Sequence, residues 1–283
     1  MTKAILIMLV AMSCIPAGDA ASKVLTSQLG VAPIYVVWTR FTLGAMILLP
    51  FTWRAGLGVW RDWRVWFRAA LIAAGISCIT QALKHAALAD VFGAFFIGPM
   101  ISFLLSVWLL KEQARFIQAI LIMIGFAGVL LVVRPGFDVS AGLGWAVLAG
   151  CLYGSFLTAS RWLAGSVALG GLMLTQMIGA VILTTPFVFG NFPEMSFEIG
   201  VLTVFSGIGS MAGNVLMLFA YKMHEASKLA PFVYFQLISA VILGWVVFGD
   251  LPDLYAIAGM VLIVAAGIAV AVLQSRWPIP ART

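Results

Sequence analysis

Charge is scarce in this chain. Asp, Glu, Lys and Arg make up 9% of its 283 residues, and histidine occurs twice, at His85 and His224. Soluble domains carry about 25% charged and about 45–50% apolar residues. With 63% apolar residues and a mean hydropathy of +1.12, this chain has no polar exterior to offer water, so lipid is its solvent. Cysteine is equally sparse: Cys14, Cys78 and Cys151 are an odd number, far apart and in apolar segments. That excludes a CxxC or Cys/His metal pattern and a disulfide framework, leaving them as small packing residues. Asn191 and Asn214 lack the Asn-x-Ser/Thr context for glycosylation. No HExxH, GxSxG or P-loop occurs, so neither an active-site constellation nor direct ATP drive has a motif to rest on, and no cofactor is expected. "GIGSMA" at 207–212 formally fits a dinucleotide fingerprint, but an apolar span provides no strand–turn–helix context for it.

What is abundant is apolar runs of about 20 residues, the length a helix needs to cross the hydrocarbon core. They fall at 4–25, 33–52, 68–88, 90–110, 116–134, 142–163, 168–189, 198–221, 229–249 and 254–274. Short joints such as "WRAGLGVWRDWRVWFR", "KEQAR", "RPGFD" and "GDLPD" separate them. The first run poses a choice. Its apolar stretch and the small residues near Ala20 resemble a signal peptide, or it is an uncleaved helix carrying Asp19 into the bilayer. A membrane-embedded remainder and an Asp beside the cleavage site favour the uncleaved helix.

With ten spans both termini share one side. That side collects Lys3, Arg54, Arg61, Arg64, Arg68, Lys111, Arg115, Arg161, Lys222, Lys228, Arg276 and Arg282, whereas the opposite loops hold only Arg134. This bias places both termini in the cytoplasm. It also explains the net charge of +6 without nucleic acid, since the cations are spread over several short loops. Trp53, Trp60, Trp63 and Trp66 among arginines read as an interfacial belt.

The chain also matches itself. "ASKVL" at 21–25 corresponds to "ASRWL" at 159–163, and "LSVWLLKEQ" at 105–113 to "LGWVVFGDL" at 243–251, both with a shift of 138. "TRFTLGAMILLPF" at 39–51 falls on "TQMIGAVILTTPF" at 175–187 with a shift of 136. Five spans per copy is odd, so the second copy enters the membrane upside down. The expected fold is an all-α integral membrane protein of ten transmembrane helices in two inverted five-helix repeats, 1–141 and 142–283.

These features resemble the drug/metabolite transporter superfamily, EamA type. Ten spans in two copies, with an acidic residue closing the fourth ("WLLKEQ", Glu112) and ninth ("WVVFGDLPD", Asp250), carry the resemblance. "GDAASK…TRF" and "LAPFVYFQLISAVILGWVVFGDLPD" are similar to the branch with S-adenosylmethionine and riboflavin carriers, although Asp250 stands where Glu is usual. The resemblance implies a multi-pass carrier of small metabolites in a bacterial inner membrane. It also implies a central cavity ringed by helices one to four and six to nine, with five and ten outside.

Ionisable groups within spans cost about 2.5–3.5 kcal/mol each on insertion scales and call for a reason. They are Asp19, Lys23, Arg40 and Lys84. Asp19 and Lys23 are one turn apart and can neutralise each other, while Asp19 and Arg40 lie at similar depth on neighbouring spans. A structural pair and a substrate or proton site both remain open on these residues. Pro16 and Gly18 weaken the helix beside Asp19. Ser206, Ser210 and Asn214 form a polar stripe on span eight. Gln81, Tyr153, Gln176 (the repeat partner of Arg40), Tyr234 and Gln236 complete a set of mid-depth polar groups suited to an amino-acid-like, amphoteric or planar aromatic ligand. The expectation is a secondary transporter working by alternating access, with proton or exchange coupling, as a monomer or homodimer. A membrane scaffold or an intramembrane enzyme is the alternative.

Overall fold

The computed structural model describes residues 2–52, 57–111, 116–133, 141–163, 166–167, 169–223 and 229–276. Glu112, Trp53, Arg54, Arg115, Arg134, His224, Lys228 and Arg282 lie outside the described residues. The elements are α1 (Thr2–Lys23), α2 (Pro33–Thr52), α3 (Trp63–His85), α4 (Leu88–Phe95), α5 (Gly98–Leu109), α6 (Phe116–Val133), α7 (Ala141–Trp162), α8 (Leu169–Val188), α9 (Phe197–Met223), α10 (Phe235–Phe248) and α11 (Leu254–Arg276). Among the described residues nine helices are long and apolar enough to cross a membrane, counting α4 and α5 as one span, and Phe232–Phe248 is a shorter tenth. Large apolar side chains face outward, among them Trp108, Phe116, Phe197 and Val246, as lipid rather than water requires.

The local chemistry explains where helices start and stop. Asp62 caps α3: its Oδ1 accepts the Arg64 N–H at 2.9 Å, satisfying a donor that a helix start leaves open. α3 therefore begins at Trp63, and Arg64, Trp66 and Arg68 are helical rather than part of the preceding loop. α1 runs unbroken through Pro16. Its irregularity comes later, where Val24–Gln28 widens into a π-turn. Gly249 closes α10 with φ 71°, a conformation glycine adopts without steric cost, and swings Asp250 back towards the bundle.

Packing pairs the helices in a pattern that is symmetric when spans one to five are exchanged with six to ten. α1 lies on α9, and α3 on α7. In span numbers these are contacts of one with eight and six with three, each the image of the other when corresponding spans are exchanged. Likewise α1 meets α10 while α7 meets α5, and α2 with α8, α6 with α11, and α4 with α10 map onto themselves. The largest apolar core, around Phe92, Leu83, Leu88 and Leu237, sits where the fourth and ninth spans meet α3, α7 and α11.

Candidate functional site

The fourth and ninth spans are both interrupted, and at corresponding places. α4 stops at Phe95 and α5 begins at Gly98 with Pro99 in its first turn. The ninth span enters as a 3-10 turn, Ala230–Tyr234, before α10 takes over at Phe235. Proline lacks the N–H that continues a helix, so Pro99 and Pro231 account for both breaks. The 138-residue shift carries Phe96 onto Tyr234, and these two rings pack on one another with centroids 5.3 Å apart and planes 30° apart. Paired interruptions in two halves of a membrane bundle mark a binding region.

Beside them lies a cavity of about 400 Å³. Phe96, Met100, Ser102 and Phe103 line one wall, Gln118 and Gly125 of α6 another, and Leu157 and Arg161 of α7 a third. Tyr234 and α11, at Ile263, Ala266 and Gly267, complete it. A Cβ at Gly267 would run into the Tyr234 ring, so only glycine leaves room for that ring. Arg161 donates through Nη1 to Ser106 Oγ at 2.9 Å. The cavity's lining runs along α5 from Pro99 to Val107, the first half of α6, the end of α7 and the later part of α11, so it occupies one half of the bundle.

At the other end two ion pairs join spans. Arg40 donates through Nη1 to Asp19 Oδ1 at 2.5 Å and to Ser22 Oγ at 3.3 Å, and through Nη2 to Ser210 Oγ at 2.5 Å. Asp19 is 3% exposed and Arg40 9%. Ser22 Oγ also meets Ser206 Oγ at 2.7 Å. The cluster thus ties α1 and α2 to α9. Lys23 pairs with Asp250, Nζ to Oδ2 at 2.9 Å, with the Lys23 ammonium 4.4 Å from the Phe248 ring centroid. Lys23 therefore does not neutralise Asp19. One turn separates them along α1, but Asp19 points to α2 and Lys23 to the far end of α10.

Arg68, expected in the loop before the third span, is a second buried arginine on α3. Arg68 is 6% exposed. It donates to Ser160 Oγ at 2.7 Å, to the Leu172 carbonyl at 2.9 Å and to Gln176 Oε1 at 2.9 Å. Its guanidinium also lies over the Phe156 ring at 4.4 Å. The signal was available: Val65, Arg68, Ala69 and Ile72, all buried, sit at the helical spacing that follows an Asp cap.

The expected ligand-facing set is therefore dispersed. Asp19 and Arg40 come together, and Gln176 meets Arg68. Tyr153 packs against Phe95 at 5.0 Å and Phe156 at 5.9 Å. Asn214 is exposed and donates to the Ser210 carbonyl of its own helix at 2.8 Å, so it stands apart from the Ser206–Ser210 face. Gln81 and Gln236 are half-buried on α3 and α10. Of these eight residues Tyr234 lines the cavity. The cavity also differs from expectation in its walls: α6 and α11, the fifth and tenth spans, contribute Gln118, Gly125, Ile263 and Ala266 to them. Among the described residues no group of three His, Cys, Asp or Glu could hold a metal ion.

Comparison with known proteins agrees with this architecture. The model of a family described as "EamA-like transporter family" matches residues 2–134 and again 140–273. The chain is 25% identical over 253 residues to an S-adenosylmethionine uptake transporter of Rickettsia conorii, covering 88% of this chain and 85% of that one. It is 26% identical over 242 residues to the pseudopaline exporter CntI of Pseudomonas aeruginosa, covering 83% and 84%. A solved crystal structure superposes over 97% of this chain and 98% of its own, with a TM-score of 0.66 at 21% identity. That last likeness is one of fold.

Proposed function

The chain belongs to the EamA-like transporter family, and from that premise we propose that it is a secondary carrier moving an amino-acid-like, amphoteric or planar aromatic metabolite by alternating access. By its family and relatives it is a multi-pass membrane transporter of a small metabolite and not an enzyme. One observation above all supports alternating access around a central cargo site. Two helices break at repeat-equivalent positions, their ring residues Phe96 and Tyr234 meet, and a cavity of about 400 Å³ opens beside that contact. Broken helices supply carbonyls and amides that are not committed to the helix ladder, at the depth where a cargo is held.

Alternating access needs two packings of the same halves. Repeats 1–141 and 142–283, inverted with respect to one another, supply them, because the contacts of α1 with α9 and α10 have mates in those of α7 with α3 and α5, and one set can open while the other closes. The basic loops orient the carrier in the inner membrane with cytoplasmic termini. In that orientation Lys23–Asp250 closes the outer end and the cavity lies towards the cytoplasm. The relatives' names include one uptake and one export protein, so direction follows the gradient or coupling partner rather than the fold.

The test is flux through purified protein in proteoliposomes, with S-adenosylmethionine, methionine, tryptophan and riboflavin offered from either side, alone and in exchange. Saturable flux of at least one compound, lost in Tyr234→Ala, supports the reading. Vesicles that move none of them in either direction, with no thermal stabilisation of the protein, refute it and leave a membrane scaffold.

A further inference from the structure

Arg40 and Arg68 are both buried, yet they are neutralised differently. Arg40 has the Asp19 carboxylate. Arg68 has a hydroxyl, a carbonyl, an amide oxygen and a ring face, and among the described residues no carboxylate lies within ion-pair distance of it. The repeat makes the contrast sharper. The shifts of 136 and 138 place Gln176 opposite Arg40 and Leu157 opposite Asp19, so α7 and α8, which enclose Arg68, carry leucine and glutamine where α1 and α2 carry the acid and its arginine. Neutral dipoles satisfy donors but do not cancel a charge, and an uncompensated cation in a bilayer interior is costly.

We propose that Arg68 binds the carboxylate, or an equivalent anionic group, of the transported metabolite, which brings the missing counter-charge. This rests on the carrier reading and narrows the cargo to compounds with such a group. Three features on α3, α7 and α8 support it. Three of the five guanidinium N–H groups are engaged by Ser160, Leu172 and Gln176, which leaves two for a ligand. Phe156 beneath the plane fixes the fork's orientation, the geometry that suits bidentate carboxylate binding. Phe156 and Ser160 alternate on α7 with Leu157 and Arg161, which line the cavity, so Arg68 lies behind one helix from the space a cargo enters. A rearrangement of α7 against α3 opens that seam and presents the guanidinium to the cavity.

Gln176→Glu tests this without changing shape. It places a carboxylate where Gln176 Oε1 now accepts from Arg68 at 2.9 Å, so the protein supplies the counter-charge that the proposal assigns to cargo. Binding to the purified full chain is measured for S-adenosylmethionine against 5′-methylthioadenosine, and for methionine and tryptophan against their amides. Wild type should prefer the carboxylated member by about tenfold or more, the size of a charge-assisted hydrogen bond. In Gln176→Glu that preference should fall to within about twofold while thermal stability without ligand holds or rises, and Arg68→Lys should keep part of it. A wild type that binds compounds of the panel without favouring the acids overturns the proposal and leaves the carrier reading intact, as does a Gln176→Glu variant that keeps the wild-type preference. A Gln176→Glu variant that cannot fold shows that the site rejects a carboxylate, which also overturns it. Wild type binding nothing in the panel removes the cargo class itself.

Discussion

Replacing Asp19 by Asn probes the most deeply buried charge pair in the bundle. The amide keeps the shape and one acceptor oxygen for Arg40 Nη1, but it removes the negative charge from a site 3% exposed. Breaking a buried ion pair by deleting one partner costs about 3–5 kcal/mol, and the retained hydrogen bond returns about 1 kcal/mol. The expected loss is then roughly 2–4 kcal/mol, from the same two terms. Neutral hydrogen bonds between membrane helices average about 0.6 kcal/mol, so a loss of several identifies charge as its source. Arg40→Gln should cost a similar amount, and the double variant should be less destabilised than the sum, since neither charge is left alone. The assay is thermal unfolding of wild type, both singles and the double in one lipid nanodisc composition, with flux measured at matched protein levels. Additive effects, within about 0.5 kcal/mol, would refute the pairing argument. Unchanged flux and pH profile in the surviving Asp19→Asn protein would leave the pair purely structural; the carrier reading expects both to change.

Other outcomes follow from the same geometry. Gly267→Ala should destabilise by about 1–3 kcal/mol through overpacking against Tyr234, and adding Tyr234→Ala should recover most of that loss; no recovery would mean the ring does not occupy the glycine slot. In a background with Cys14, Cys78 and Cys151 replaced by Ala, Lys23→Cys with Asp250→Cys joined by a short cleavable thiol cross-linker should stop flux until reductant is added. Flux that continues through the cross-link would show that this end need not open. A C-terminal reporter should be active only when it tolerates the cytoplasm; activity restricted to the outer side would reverse the orientation.

Several elements were plain in the sequence for reasons of length and composition alone. A bilayer of fixed thickness demands about 20 apolar residues per helix, and runs of that length are countable. Arg68 shows where such counting stops. In "WRAGLGVWRDWRVWFR" the dense Trp and Arg residues mimic a loop, and only the Asp62 cap with its following i, i+3, i+4, i+7 stripe of Val65, Arg68, Ala69 and Ile72 marks a helix start inside it. The break in the fourth span was readable at Gly98–Pro99 and that in the ninth at Pro231, although neither proline says what its break faces.

The sequence by itself determined the solvent and the succession of apolar spans, and it carries the expected repeat and the expected sidedness of the cations, because each depends on local properties summed along the chain. The tertiary structure decided which charges meet. Lys23 and Asp19 are four residues apart on one helix, yet Lys23 pairs with Asp250, 227 positions away, while Asp19 turns to Arg40. It also decided that the cavity reaches the fifth and tenth spans and that Arg68 is enclosed by α7 and α8 with no acid beside it among the described residues. An ion pair forms between whichever faces are pressed together, and which faces those are depends on how helices distant in the chain cross, a relation no stretch of sequence contains.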